Sequence, residues 1–101
     1  MSFYIKVDHS KFDATASEIE SYITKFKKNM SSADKEVTSL RSSWDGNDYN
    51  QFQNQWQKVS GADSTSQQMI KSLENYAKFL RYSSSQYKEA QTKAVNKANS
   101  L

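Results

Sequence analysis

A short turn containing glycine divides the helical pattern of this chain near its midpoint. The turn is Trp44-Asp45-Gly46, and Gly46 is one of only two glycines in a chain of 101 residues that has no proline. Glycine can leave a helix through backbone conformations that other residues rarely adopt, so Gly46 is the strongest candidate for a reversal. The sequence therefore predicts a helical hairpin with its turn at residues 44–47.

Apolar residues before the turn recur at alternating steps of four and three. The series is Phe12, Ala16, Ile19, Ile23, Phe26, Met30, Ala33, Val37, Leu40 and Trp44. This spacing places them on one narrow stripe of an α-helix, and a sustained repeat of 3.5 favours coiled-coil packing against a neighbour. Asp8 precedes the stripe and can cap the first turn. We therefore predict a first helix over about residues 8–43.

The same repeat returns after the turn, with an interruption. Its members are Tyr49, Phe52, Trp56, Val59, Ile70, Leu73, Ala77, Leu80 and Tyr87. Gly61 lies at the edge of a polar stretch, and glycine inside a helix costs up to about 1 kcal/mol relative to alanine. We predict one second helix over about residues 48–90 with a bend near 60–66. Apolar residues are sparse after Ala90, so we expect the tail at 91–101 to fray.

The second helix has more apolar surface than the first can cover. An additional row holds Ala62, Met69, Tyr76 and Ala90, whereas the matching row of the first helix holds Thr15, Tyr22, Asn29 and Glu36. Because soluble proteins rarely leave large apolar patches uncovered, we predict one all-α antiparallel hairpin domain over 1–101 that dimerises into a four-helix bundle. The residues expected in hairpin or dimer packing are Phe26, Met30, Val37, Leu40, Phe52, Trp56, Val59, Met69, Ile70, Leu73, Tyr76 and Leu80. Surface exposure of Tyr76, Phe79 and Tyr82 as amphipathic side chains stays an open alternative.

The composition argues against catalysis and against a membrane span. The chain has one histidine, His9, no cysteine and no glycine-rich loop for a phosphate, so we predict no enzymatic activity, catalytic residue, cofactor, metal site or small-molecule substrate. No run of about 20 apolar residues is present to cross a bilayer. Residues 1–8 lack a basic start followed by an apolar block, so we expect no cleavable Sec signal peptide.

The net charge of +3 is concentrated after the turn. The basic residues there are Lys58, Lys71, Lys78, Arg81, Lys88, Lys93 and Lys97. They are spaced along the helix, which favours a solvated face and a protein without a nucleic-acid partner. A basic helical nucleic-acid-binding protein is the weaker alternative, because several of these residues share a helix with aromatic side chains that can stack on bases.

The Trp-Asp-Gly turn between two heptad helices, followed by Phe52 and Trp56, resembles the WXG-hundred family. These are small early-secreted-antigen-like proteins exported by type VII secretion systems. The resemblance covers essentially the whole chain. It implies a secreted or cell-surface, virulence-associated protein of a Gram-positive bacterium, an antiparallel homodimer or heterodimer with another such chain, and contact with the secretion ATPase.

The resemblance also assigns roles to residues at each end of the second helix. Trp44 and Gly46 match the turn that family members place near the export machinery. Many members carry a second export element, a tyrosine followed four residues later by an acid, after the second helix. Here Tyr87 and Glu89 are the degenerate counterpart, since they are only two residues apart. An intracellular coiled-coil adaptor is the alternative function, and it differs in cellular location.

Overall fold

The computed structural model describes residues 8–44 and 46–100 and shows an elongated helical hairpin of 79 × 18 × 16 Å. Helix α1 spans His9–Ser39 and continues into one 3₁₀ turn at Leu40–Ser42. After the reversal, α2 spans Asn47–Ser60 and α3 spans Thr65–Asn99. The described ranges contain helices and no strand, which confirms the predicted all-α hairpin.

Helix α1 begins where the sequence predicts a cap. Asp8 has an extended backbone, and its carboxylate accepts hydrogen bonds from the backbone N–H and the hydroxyl of Ser10. The hydroxyl contact is the main reason why the pKa of Asp8 lies below its ordinary value. The cap satisfies one of the free N–H groups of the first turn and so fixes the start of α1.

The core is a narrow seam that α1 forms with α3 and, near the turn, with α2. Its fully or nearly buried apolar side chains are Ala16, Ile23 and Val37 of α1, Tyr49 of α2, and Ile70 and Ala77 of α3. Ser84 is also buried, and its hydroxyl donates to the carbonyl of His9 at 3.0 Å. Small side chains at several of these positions allow the two helices to approach closely. The seam therefore follows the 3.5-residue repeat of the sequence.

The second arm of the hairpin is two helices, which corrects the prediction of one bent helix over 48–90. Gly61 ends α2 in an extended conformation, φ −70° and ψ 165°, with its N–H on the carbonyl of Gln57 at 2.7 Å. Ser64 then starts α3, because its hydroxyl accepts the N–H of Gln67 at 3.2 Å. The Ser64 cap, three residues after Gly61, makes a clean break more stable than a continuous helix.

The C-terminal segment also differs from the expected frayed tail. Helix α3 continues to Asn99, and all side chains over 85–99 are exposed. No glycine or proline follows Gly61, and Ala90, Ala94 and Ala98 favour a helix. A Glu89–Lys93 ion pair at 3.1 Å adds local i,i+4 support. Local propensity therefore helps to keep this largely exposed segment helical.

Candidate protein-interaction site

Trp44 closes the end of the hairpin and stays partly exposed. Its backbone N–H donates to the carbonyl of Leu40 at 2.7 Å, and its side chain is 38% exposed. The indole packs on Phe52 with ring centroids 5.5 Å apart and on the edge of Tyr49 at 6.2 Å. These contacts hold a large aromatic side chain in one orientation at the tip of the rod, as an interface anchor requires.

Gly46 makes the reversal through a backbone conformation that needs glycine. Its φ is 102° and its ψ is −162°, and it lies immediately before α2. A Cβ at this position would meet nothing within 4 Å, so its requirement is conformational and not steric. Asp45, the middle residue of the predicted turn, lies outside the described residues.

Two polar contacts fasten α2 to α1 just behind the tip. The hydroxyl of Tyr49, which is 2% exposed, donates to the carbonyl of Val37 at 3.2 Å. The indole N–H of Trp56 donates to Oδ1 of Asp34 at 2.9 Å. These contacts join residues 12 and 22 positions apart, so they determine where α2 lies against α1.

One long face of the hairpin is held by ion pairs between α1 and α3. Lys27 bonds Glu74 at 2.9 Å, and Arg81 bonds Glu20 and the hydroxyl of Ser17. The hydrogen bond from Arg81 lowers the pKa of Glu20, and the one from Lys27 lowers the pKa of Glu74. We call this side of the molecule the ion-paired face. Because Arg81 is engaged there, it is less suited to the phosphate contacts that the nucleic-acid alternative requires.

The opposite long face is apolar and uncovered. With about 100° of rotation per residue and antiparallel arms, eight of the eleven large apolar side chains that are exposed lie on this side. They are Tyr22, Leu40, Trp44, Phe52, Val59, Met69, Tyr76 and Tyr87. We call this set the apolar face. The other three, Phe79, Tyr82 and Val95, lie outside it. Soluble proteins rarely leave such a continuous surface bare.

The residues predicted to pack divide between the seam and the apolar face. Val37 and Ile70 are buried, and Phe26, Met30, Trp56, Leu73 and Leu80 are half-buried. The remaining ones, Leu40, Phe52, Val59, Met69 and Tyr76, are exposed members of the apolar face. The structure therefore brings seven of the twelve into or beside the hairpin seam and leaves five without cover in the protomer.

Tyr87 and Glu89 do not form a joint element. The ring of Tyr87 packs edge-on against Phe12 at 5.9 Å, whereas Glu89 pairs with Lys93 on a different side of α3. Two residues apart on a helix, they diverge by about 200°.

Sequence reasoning missed the ion-paired face and the anchoring of α2. Lys27, Glu74, Glu20 and Arg81 are surface residues of two distant segments, and no local pattern pairs them. If both apolar stripes are set against each other in an antiparallel helix pair, the helical repeat places these four charged residues on the same side. The hydrogen bonds from Tyr49 and Trp56 to α1 have no comparable pattern in the sequence that would predict them.

Within the described residues, no group of histidines, cysteines and acids could hold a metal ion. The same part of the chain contains no helix that is long and apolar enough to cross a membrane.

The fold and these surfaces define a small helical-hairpin protein whose exposed features are an aromatic tip and one apolar face. The family model for WXG100, described as proteins of 100 residues with WXG, matches residues 4–92. The chain therefore belongs to the WXG100 family, which confirms the resemblance, and this family consists of small helical non-enzymatic proteins associated with type VII secretion. No curated protein and no solved structure matches the chain.

Proposed function

We propose that this chain is a non-enzymatic substrate or co-substrate of a type VII secretion system and works through helix-mediated protein contacts. The observation that carries the proposal is the Trp44–Gly46 turn inside a family match that covers residues 4–92. The structure of this turn fits a recognition role, because Gly46 sets the reversal and Trp44 stands at the tip with 38% of its surface exposed.

The secretion ATPase, or another part of the export machinery, binds the aromatic tip, which consists of Trp44 with Tyr49 and Phe52. Trp44 is braced by Phe52 and Tyr49, so little side-chain freedom would be lost on binding. Exposed tryptophans with fixed orientation are frequent energetic centres of protein interfaces. The proposed location is outside the cell or at its surface, in a Gram-positive bacterium where the protein is associated with virulence, and export occurs without a cleaved Sec signal.

The apolar face supports pairing with a second hairpin, either another copy or a related chain. A second hairpin laid on this face would complete a four-helix bundle and cover side chains such as Met69 and Tyr76, which are 39% and 63% exposed. The ion-paired face would then face solvent. Surface ion pairs need no cover, whereas apolar side chains do.

The divergence of Tyr87 and Glu89 bears on how export is specified. A receptor that reads a tyrosine and an acid on one helical face cannot contact both residues here at once. We therefore assign the second export element to a partner chain, or to relaxed recognition in which the tip suffices.

Fractionation of culture medium from the native host, with and without the secretion ATPase, tests the proposed function. The chain should appear in the medium only when the ATPase is present. An intracellular adaptor would stay in the cytosol in both strains, which would contradict export.

The chain offers a matched control for the role of the tip, because it has two tryptophans. Trp44→Ala should lower export at least about tenfold while helical content and Tm change little, since Trp44 is more exposed than Trp56. Trp56→Ala should lower Tm more and export less. Losses of export and stability in equal proportion in both variants would reduce Trp44 to a packing residue.

A further inference from the structure

We propose that the outer side of α3 binds an acidic amphipathic helix of a partner protein. This surface is separate from the aromatic tip and from the apolar face, so the inference goes beyond the proposed function. Two exposed aromatic rings, the spacing of the residues around them and two lysines beside them support it.

Phe79 and Tyr82 lie on the side of α3 that points away from α1. Each is 64% exposed, more than any other large apolar side chain of the described residues. With about 100° of rotation per residue, both lie roughly opposite the buried Ala77. Neither the hairpin seam nor a second hairpin on the apolar face covers them. Large aromatic rings left bare on the outer side of a rod indicate a further contact surface.

The two rings belong to a row of residues that repeats at alternating steps of three and four. The row consists of exposed residues only and runs through Gln68, Ser72, Asn75, Phe79, Tyr82 and Gln86. We call this row the outer seam. A 3.5-residue repeat is the spacing that lets one helix follow another. The outer seam is about 27 Å long at 1.5 Å per residue, which fits a partner helix of about five turns.

The outer seam offers a space that a side chain of a partner helix can enter. Phe79 borders an open groove of about 420 Å³ together with Ser72, Asn75 and Tyr76. Ser72 and Asn75 are short, so an apolar side chain of leucine or phenylalanine size fits between them and the rings. Insertion of one side chain among four residues of the facing helix is the packing of coiled coils. The partner helix therefore presents an apolar stripe to this groove.

The unpaired charges beside the outer seam are positive. Lys71 and Lys78 are exposed, lie on the same flank of the seam, and form no ion pair among the described residues. The one acid between them in the sequence, Glu74, is bonded to Lys27 of α1 at 2.9 Å. Charges that flank a helical seam select partners of opposite sign. The partner helix therefore carries acids along this edge.

A membrane surface and a nucleic acid fit the outer seam less well than a helix does. A helix that lies in a bilayer needs a broad apolar face, whereas polar Gln68, Asn75 and Gln86 interrupt this row. Tight phosphate binding needs several free cations, and Arg81 of the same helix is engaged by Glu20. A narrow seam with an aromatic centre and cations on one flank suits an acidic helix.

A synthetic peptide of about three heptads tests the proposal, with leucine at the a and d positions and glutamate at the e and g positions. Repulsion between the glutamates prevents the peptide from pairing with itself. Fluorescence anisotropy of the labelled peptide, titrated with the full chain, measures binding. We expect a Kd of about 10 μM, and at least about tenfold weaker binding of a matched peptide with lysine in place of glutamate.

Phe79→Ala should weaken binding of the acidic peptide at least about tenfold, because its ring lies at the centre of the outer seam. Tyr22→Ala is the matched control: it removes a 51% exposed ring from the apolar face and should leave peptide binding unchanged. Circular dichroism should show the natural helical content in both variants, since neither ring is buried.

Charge reversal tests the sign of the partner. Lys71→Glu with Lys78→Glu should weaken binding of the acidic peptide about tenfold and strengthen binding of the lysine peptide by a similar factor. Lys25→Glu with Lys28→Glu is the matched control, because it changes the net charge equally on the outer side of α1. That control should keep the preference of the natural chain for the acidic peptide.

No binding of the acidic peptide, or equal binding of both peptides by the natural chain, would overturn the proposal. Phe79-dependent binding to phosphatidylglycerol vesicles or to a single-stranded oligonucleotide, without binding to the peptide, would also overturn it, because the occupant would then be a membrane or a nucleic acid. Each of these failures leaves the proposed function in place, since that function uses the aromatic tip and the apolar face.

Discussion

The indole N–H of Trp56 points at the carboxylate of Asp34 and bonds Oδ1 at 2.9 Å, joining α2 to α1. This contact and the bond from Tyr49 to Val37 hold a helix of only 14 residues whose other contacts are few. Short helices are marginal by themselves in water. The position of the tip therefore depends on a small number of identifiable side chains.

Trp56→Phe should lower the free energy of unfolding by about 1 kcal/mol, because it removes one hydrogen bond to a partly exposed carboxylate and keeps most of the ring packing. Thermal unfolding followed by circular dichroism measures the change. Asp34→Asn is the control, since it keeps an acceptor for the indole and should cost less. A larger loss for Asp34→Asn than for Trp56→Phe would show that the contact is not the source of the stability.

Tyr49→Phe removes a hydroxyl from a side chain that is 2% exposed and leaves the ring in place. We expect the free energy of unfolding to fall by about 1 kcal/mol. The loss stays small because the carbonyl of Val37 belongs to α1 and still accepts its hydrogen bond within the helix. Tyr49→Ala should cost about 3 to 5 kcal/mol, because it also opens a cavity under Trp44. Urea titrations compare the two, and equal losses would mean that the ring contributes nothing to the tip.

Gly46→Ala should destabilise the hairpin by about 1 to 3 kcal/mol through backbone strain alone. The residue has φ 102°, but a Cβ would meet nothing within 4 Å. Asn47→Ala, the next residue and also exposed, is the matched control and should be close to neutral. If Gly46→Ala matched that control, the turn would not need its unusual conformation.

Acidification should weaken the ion-paired face. The folded-state pKa values of Glu20 and Glu74 are lowered from the ordinary value of 4.5 by hydrogen bonds from Arg81 and Lys27. A lowered folded pKa contributes stability that is fully present above pH 4.5 and is lost as pH falls through the folded pKa. Tm should therefore decline below pH 4.5.

The double variant Glu20→Gln with Glu74→Gln isolates that effect. It should start from a lower Tm at neutral pH and show a shallower decline on acidification. Both carboxylates are exposed, so added salt should also reduce the difference between the two proteins. An unchanged acid dependence in the double variant would place the titrating groups elsewhere.

The seam and the turn can be predicted from the sequence, but the arrangement of α2 and of the surfaces around the seam cannot. Ile23, Val37 and Ile70 are buried where the heptad stripe places them, because burial along one helix face is a local periodic property. The break at Gly61 comes from the extended glycine and the Ser64 cap, but both residue types also occur inside helices. The sequence pattern therefore indicates a weak point in the helix but does not show that the helix ends there.

The tail and the apolar face show two further features that the sequence pattern does not predict. Apolar periodicity ends near Ala90, but helix propensity alone carries α3 to Asn99, so the loss of one signal did not mean the loss of the helix. The apolar row that contains Tyr76 is visible in the sequence of the second helix. The continuity of the apolar face over both arms depends in addition on which residues of α1 and α3 lie side by side. Ion pairs such as Lys27–Glu74 show which residues of the two helices lie at the same height.

Two tyrosines of α3 provide the most direct test that the apolar face is covered in solution. Tyr76 and Tyr82 are the same residue type on the same helix, 63% and 64% exposed in the protomer, but only Tyr76 lies on the apolar face. Hydroxyl-radical footprinting with mass spectrometry measures the reactivity of each side chain at low and high protein concentration. We predict that Tyr76 becomes protected as concentration rises while Tyr82 stays reactive. Equal reactivity of the two tyrosines at every concentration, and also after a related partner chain is added, would contradict the account.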